Sequence, residues 1–432
     1  MLKSNKALIY SWLNIIISMG GFLFLVPIAL TTFSDKDFSF WLFTSSLIAA
    51  GTIIQSSLSD SMLRVFSKYR QHNKFEKVFS TVVNLSYITS LFPPIIVILI
   101  CFVSFDNFNA YDNIAYCLLA IIFTIILNLI SSPFIALLHT DGKIDFCSKI
   151  EFSINLCKIV CAIIVIYVFK TVLSVLISHM LFSIVRFVLF WLTAFSAGLI
   201  ARFIELDKDT MKYIEKPIRK TFIIKIGGFF AVNSMAMVAM GLPPAEAASF
   251  MFTTRVCVLI YQITLVPFRV KLPTFVNYRF NNKKIEIRTL FIKTTRISAS
   301  VYFIISLLII FCSDFIFNLV QIENKLLSTE LLSIILLMFF LEMHHVAHAM
   351  VYETTNNIPF VKISIISGIT IYVIAKSLSP TYGIIGIIGS QFVIQFIGNN
   401  WFPVYLNLKS LNWPLILYIQ DLFKIKHLKI HD

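Results

Sequence analysis

Two long apolar runs stand back to back at residues 150–199, IEFSINLCKIVCAIIVIYVFKTVLSVLISHMLFSIVRFVLFWLTAFSAGL. Each run is at least about twenty residues long, which is the length an α-helix needs to cross a bilayer. Inside a bilayer, only an α-helix or a closed β-barrel satisfies the hydrogen bonds of the backbone. These continuous apolar runs lack the two-residue alternation of a membrane β-barrel, which leaves the α-helix. The stretch therefore predicts two successive transmembrane helices, at about 150–169 and 171–199.

Similar runs recur along the whole chain, and they predict an all-α integral membrane protein of about twelve transmembrane helices. The chain is 58% hydrophobic and only 13% charged, whereas a soluble domain has about 25% charged residues. The other predicted spans are about 7–30, 38–58, 79–104, 113–138, 222–241, 248–270, 294–317, 328–349, 361–378 and 383–405.

The charge is unbalanced, with 36 Lys and Arg against 22 Asp and Glu. In a membrane protein such an excess indicates basic cytoplasmic loops rather than nucleic-acid binding. Alternate loops hold most of the basic residues, so the pattern predicts a multi-pass membrane protein with both termini cytoplasmic. The predicted cytoplasmic segments are 1–6, 64–77, 139–149, 200–220, 269–296, 350–362 and 406–432.

The longest cytoplasmic break divides the predicted spans into six and six. We expect an N-terminal six-helix bundle at 1–199, a cytoplasmic linker at 200–221 and a C-terminal six-helix bundle at 222–405, around a central cavity. Residues 406–432 form an amphipathic basic tail. This tail either lies along the membrane interface, with Lys424, Lys426 and Lys429 toward anionic lipid, or frays.

Four basic residues fall inside predicted spans: Lys158, Arg186, Lys225 and Arg255. A cation at the bilayer centre costs about 2.5–3.5 kcal/mol on insertion scales. The acids at span ends, Asp60, Glu151, Glu246 and Glu342, are few and are not expected to pair with these cations. The four basic residues are therefore predicted to line a wet cavity that takes an anionic ligand, since Arg holds phosphate bidentately.

Weaker interpretations stay open for several of these residues. Lys225 lies about one turn from the cytoplasmic end of its span, where a lysine can snorkel to the interface. Asp60 and Arg64 have the four-residue spacing of a local helix pair.

A histidine cluster stands near the inner end of the tenth predicted span. His344 and His348 have metal-ligand spacing, but the glutamate of H-E-x-x-H is missing, and no metal is predicted. Glu342, His344 and His348, together with Asp60, are candidates for a proton-sensitive lining. Ordinary packing at the membrane interface is the alternative.

Several short motifs resemble Wzx-type O-antigen flippases of the multidrug/oligosaccharidyl-lipid/polysaccharide (MOP) exporter superfamily. The matching segments are Ser11–Asn14 with the run to Pro27, Ser61–Arg64, Gly241–Arg255, Asn356–Phe360, Gln391–Gln395 and Asn399–Pro403.

The resemblance implies a V-shaped pair of six-helix bundles with a cationic cavity. An undecaprenyl-diphosphate-linked oligosaccharide would pass through this cavity from the inner to the outer leaflet of the bacterial inner membrane. Arg64 and Arg255 match positions where relatives often have Arg. Asn233-Ser234 departs from the pattern, because many relatives carry an acid there, which leaves ion coupling open.

The predicted function is therefore a flippase of O-antigen or a similar repeat unit, in lipopolysaccharide or polysaccharide biosynthesis. Its predicted partners are the lipid-linked oligosaccharide, membrane lipids and other polysaccharide-assembly proteins, with no cofactor and no nucleic acid. One alternative is a membrane-embedded sugar polymerase or glycosyltransferase, although the external loops lack a catalytic constellation of acids. A second alternative is an exporter of another substrate in the same superfamily.

Overall fold

The computed structural model describes residues 21–69, 75–91, 113–200, 234–319, 326–355 and 359–423, with a few isolated positions besides. Every regular element in these ranges is a helix. The helices are α1 (Gly21–Thr32), α2 (Asp35–Tyr69), α3 (Phe75–Ser90), α4 (Ile114–Ile130), α5 (Ser132–Thr140), α6 (Ile144–Phe169), α7 (Val172–Ser196), α8 (Ser234–Ala239), α9 (Pro244–Phe280), α10 (Lys284–Leu319), α11 (Thr329–Glu353), α12 (Val361–Ile394), α13 (Phe402–Ser410) and α14 (Leu415–Phe423).

Seven helical segments within the described ranges are long and apolar enough to cross a membrane: 114–140, 145–169, 172–196, 244–272, 284–315, 329–353 and 361–410. They coincide with eight predicted spans, because the last segment covers both 361–378 and 383–405. The remaining four predicted spans overlap α1, α2, α3 and α8 or residues outside the described part. The count of twelve stays a prediction, and the all-helical membrane fold is confirmed.

The junction between α6 and α7 is as short as the sequence predicts. Lys170 ends α6 in the left-handed conformation (φ 53°). Thr171 is extended, and its hydroxyl accepts a hydrogen bond from the Ser174 N–H at 3.4 Å. This N-cap satisfies one of the free donors at the start of α7. Two residues therefore reverse the chain and set α6 and α7 side by side.

The chain forms two compact units, residues 1–251 and 252–432. In the first unit, α2 packs against α4 and α5, and α7 packs against α4 and α6. In the second unit, α11 packs against α10 and α13, and α10 also contacts α14. The core of the second unit is aromatic, with Phe268, Phe275, Phe291, Trp413 and Tyr418 buried together.

Helix α12 consists of two helices joined at Gly383, which has φ 55° and ψ −135°. L-residues with a side chain rarely adopt this conformation, whereas glycine does so freely. Just beyond this kink, Gly386 approaches the backbone of Leu378, and a Cβ there would lie 2.9 Å from the Leu378 carbonyl oxygen. The kink therefore depends on two glycines for two different reasons.

We expect Gly386→Ala to destabilise the protein by about 1–3 kcal/mol, because the new methyl group has to displace backbone rather than a side chain. Gly389→Ala is the matched control, since a Cβ at that position meets nothing within 4 Å. Thermal unfolding of the purified proteins in detergent measures the difference. Equal melting temperatures for the two variants would contradict the close approach at Gly386.

Candidate functional site

On the membrane-spanning helices of the first unit, an ion pair joins Arg186 of α7 to Glu151 of α6. Arg186 Nε lies 3.0 and 3.1 Å from the two Glu151 carboxylate oxygens, and Arg186 Nη2 also donates to Oε1. Both side chains are largely buried, with 13% and 20% of their surface exposed. The expectation that the acids at span ends are not placed to pair is therefore wrong for Glu151.

The helix geometry explains this error. Helix α6 begins at Ile144, so Glu151 lies two turns inside it rather than at its end. Counted from the turn at Lys170, Glu151 lies about 29 Å down one helix and Arg186 about 24 Å down the other, at 1.5 Å per residue. The difference is within the reach of two long side chains. The similar distances of Glu151 and Arg186 from the turn at Lys170 would have predicted the ion pair.

The other donors of Arg186 contact neutral oxygens on three further segments. Nη1 donates to Asn128 Oδ1 at 3.2 Å and to Ser131 Oγ at 3.1 Å, and Nη2 donates to Gln55 Oε1 at 3.3 Å. These partners lie on α4, at the α4–α5 junction and on α2. None of the three was predictable from sequence, because a single Asn, Ser or Gln in an apolar run carries no distinctive pattern.

Lys158 lies on α6 about two turns from Glu151, and its charge interacts with both Glu151 and Arg186. His179 of α7 is within electrostatic range of Lys158, and His139 of α5 is within range of Glu151. We call Gln55, Asn128, Ser131, Glu151, Lys158 and Arg186 the N-terminal polar network. With two cations and one carboxylate, its formal charge is positive.

Arg255 lies about three turns into α9, inside a candidate membrane span. Its Nε and Nη2 atoms are shielded from solvent. Arg64 and Asp60 lie on α2, but their side chains are outside the described part of the structure, and Lys225 is outside it altogether. The structure thus brings together Lys158 and Arg186 among the five predicted ligand residues.

The histidines of α11 form a second cluster in the C-terminal unit. His344 Nε2 lies 2.7 Å from the Tyr418 hydroxyl, and His348 Nε2 lies 3.3 Å from the same oxygen. The Asn407 amide nitrogen lies 3.0 Å from His348 Nδ1. Glu342 pairs with the neighbouring His345, at 3.4 Å between Oε2 and Nδ1.

These contacts are compatible with one arrangement of protons. With the amide as assigned, Asn407 donates to His348 Nδ1, His348 Nε2–H donates to the Tyr418 oxygen, and the Tyr418 hydroxyl donates to His344 Nε2. Burial raises the pKa of Tyr418, so the hydroxyl keeps the proton that it donates. Both imidazoles are then neutral. Among the described residues, no group of three or more His, Cys, Asp or Glu could hold a metal ion.

We expect Tyr418→Phe to destabilise the protein by about 1–3 kcal/mol, because it leaves buried ring nitrogens of His344 and His348 without a partner. Tyr382→Phe serves as the control, since Tyr382 is 59% exposed. The measurement is the melting temperature of each variant in the same detergent. If the Tyr418→Phe variant and the wild type have the same melting temperature, the Tyr418 hydroxyl does not stabilise the two histidines.

These features define an α-helical, multi-pass membrane protein with a charged network on its spanning helices. Comparisons with known proteins narrow the class. The family model for the Rft protein, Rft-1, matches residues 53–225, which is less than half of the chain. No curated protein matches the sequence significantly.

Solved structures of transporters match almost the whole chain. The lipid II flippase MurJ, in an inward closed conformation, has a TM-score of 0.69 and 13% sequence identity, over 96% of this chain and 89% of its own. A MOP superfamily transporter from Pyrococcus furiosus has a TM-score of 0.64 and 13% identity, over 95% and 97%. A MATE transporter from Vibrio cholerae has a TM-score of 0.67 and 12% identity, over 96% and 98%. The protein therefore has the fold of the MOP superfamily transporters.

Proposed function

We propose that this protein is a Wzx-type flippase that moves an undecaprenyl-diphosphate-linked oligosaccharide, such as an O-antigen repeat unit, from the inner to the outer leaflet of the bacterial inner membrane. It works by alternating access, and the lipid tail stays in the bilayer. The basic side chains that hold the diphosphate are Arg64, Lys158, Arg186, Lys225 and Arg255.

The observation that carries this proposal is the positive charge of the N-terminal polar network. Glu151 balances one of its two cations and leaves the other available to an anion. Arg186 Nε donates to the Glu151 carboxylate, whereas Arg186 Nη1 donates to the neutral oxygens of Asn128 and Ser131. A phosphate oxygen is a stronger acceptor than an amide or a hydroxyl, so it can replace them.

The likeness to a lipid II flippase supports a lipid-linked substrate, and the match to the Rft family model covers all six residues of the N-terminal polar network. A polymerase or glycosyltransferase needs a positioned acid or base outside the membrane. The cations instead favour passage of an anionic lipid, and they disfavour a cationic drug as the substrate.

The test is translocation in proteoliposomes that contain the purified full-length protein. The probe is a fluorescent oligosaccharide on undecaprenyl diphosphate, and loss of its accessibility to a membrane-impermeant quencher reports transport. We expect faster translocation than in protein-free liposomes. The same sugar on a neutral undecaprenyl ether should not be accelerated. Equal rates for the two lipids, or no acceleration of either, would overturn the proposal.

A further inference from the structure

Lys158 and His179 occupy positions on the α6–α7 hairpin that repeat the positions of the ion pair. Lys158 lies seven residues after Glu151, and His179 lies seven residues before Arg186. Seven residues are about two turns, so each residue lies on the same helix face as its counterpart in the ion pair. Equal steps along two antiparallel helices keep the register. Lys158 and His179 are therefore opposite each other, about 10 Å closer to the turn at Lys170 than the ion pair is.

Contacts between α6 and α7 support this register. Ser178 Oγ donates to Cys161 Sγ at 3.5 Å, so the two helices stay paired on the side toward the turn. The charge of Lys158 acts on His179. The charges of Glu151 and Arg186 in turn act on Lys158. The two positions are thus separate in space and connected electrostatically.

The position of Lys158 and His179 has a cation but no acid of its own. Within the described part of the chain, no hydrogen bond or ion pair joins Lys158 Nζ to another residue. His179 Nδ1 is shielded from solvent and has no hydrogen-bond partner among the same residues. An ammonium group beside an imidazole without a partner offers two donors to one anion.

Snorkelling does not account for Lys158. This residue lies twelve positions before the turn, which is about 18 Å along α6, and the hydrocarbon core of a bilayer is about 30 Å thick. Its ammonium group is therefore near the membrane centre, where a cation needs water or a counter-ion. The carboxylate that acts on it, Glu151, is bonded through both oxygens to Arg186. A mobile anion supplies the missing charge.

We propose that Lys158 and His179 form a second anion-binding position, which takes a phosphate group of the lipid-linked substrate after that group leaves Arg186. Lys158 supplies the charge, and His179 Nδ1–H donates to a phosphate oxygen. Two phosphates joined by a single oxygen do not reach across two helical turns, so the two positions are occupied in succession. Glu151 regains Arg186 when the substrate moves on. This inference rests on the proposed function.

Thiol labelling tests the anion position without any transport. In a variant whose seven native cysteines are replaced, His179→Cys places a thiol opposite Lys158. We compare the negatively charged sulfonatoethyl methanethiosulfonate with the positively charged aminoethyl reagent. The ratio of their rates should be on the order of tenfold higher in H179C than in K158Q/H179C. Inorganic diphosphate should slow the reaction only when Lys158 is present. Equal ratios in the two variants would overturn the proposal.

Transport in proteoliposomes tests whether the lipid-linked phosphate uses this position. In the same background, Lys158→Cys should lower kcat by about tenfold or more, with KM close to the wild type because Arg186 still binds the incoming lipid. The aminoethyl reagent adds a cation of similar length and should restore transport, whereas the uncharged methyl reagent should not. Lys149→Cys, on the exposed part of α6, is the control and should transport normally throughout. Normal transport by K158C, or equal rescue by both reagents, would overturn the proposal.

Variants of His179 separate its role from that of the charge. His179→Asn keeps a donor near Nδ1 and should retain most transport, whereas His179→Leu should lose it at an unchanged melting temperature. Equal transport by the two variants would remove His179 from the position. If the wild type does not transport the diphosphate lipid but labelling at 179 still depends on Lys158, the proposed function fails, and the anion position stands with free phosphate as its ligand. Normal transport in K158C and H179L would refute the second position alone.

Discussion

Arg186→Ala should sharply reduce the amount of folded protein in the membrane. The change leaves the Glu151 carboxylate largely buried without its bidentate partner. Breaking a buried ion pair from one side costs about 3–5 kcal/mol, which is a large part of a protein's stability. Size-exclusion profiles of the solubilised protein and its melting temperature measure the loss. Arg186 has an acidic partner, so its removal is not expected to leave the abundance of the protein unchanged.

The double variant E151Q/R186Q separates structure from function at this pair. Two amides remove both charges and still hydrogen-bond, so much of the stability lost in Arg186→Ala should return. Under the proposed function, surface glycan should remain absent, because the cation that holds the diphosphate is gone. Recovery of both stability and glycan would leave Arg186 a structural role only.

A control pair calibrates the size of this effect. Lys143 and Asp141 are also joined, at 3.2 Å, but the lysine side chain is 39% exposed. Solvent screens such pairs, and their loss costs about 0–1 kcal/mol. Asp141→Asn should therefore leave folding and surface glycan close to the wild type. A comparable loss in this variant would mean that the assay does not distinguish buried from exposed pairs.

Arg255→Ala should abolish surface polysaccharide while the protein remains at its normal level in the membrane. Arg255 lies in a membrane-spanning helix with guanidinium nitrogens shielded from solvent. A hydrogen bond to a charged group contributes about 1.5–3 kcal/mol. Its loss would weaken diphosphate binding by about 10–150-fold. Arg255→Lys should be milder but not silent, because lysine keeps the charge and loses the bidentate geometry.

Arg269→Ala on the same helix is the control for Arg255. The Arg269 side chain is exposed and bonds to Gln262, about two turns away on the same helix. Its removal should leave surface glycan unchanged. The assay compares surface glycan with membrane protein level in the same cells. Normal glycan in Arg255→Ala at normal expression would refute the assignment of Arg255 without affecting the fold.

The sequence by itself determined the class of fold and several helix boundaries. An apolar run long enough to cross a bilayer is a local property, because each helix satisfies its own backbone groups in lipid. The turn at Lys170-Thr171, the helix that begins near 329 and the split of 361–405 near Gly383 were all predictable in this way. The amphipathic nature of residues 415–423 was also visible, since it depends only on helical periodicity.

Only the tertiary structure decided which charges meet. Glu151 and Arg186 are 35 residues apart, and their contact depends on how far each lies from a shared turn. The Tyr418 hydroxyl reaches His344 and His348 because α14 returns to the end of α11, a packing relation that no local pattern encodes. The sequence shows that a basic residue lies inside an apolar span. It does not show which residue pairs with it, because that partner belongs to another helix. The fold therefore followed from the length and apolarity of single segments, whereas the chemistry of the site followed from the packing of helices distant in the chain.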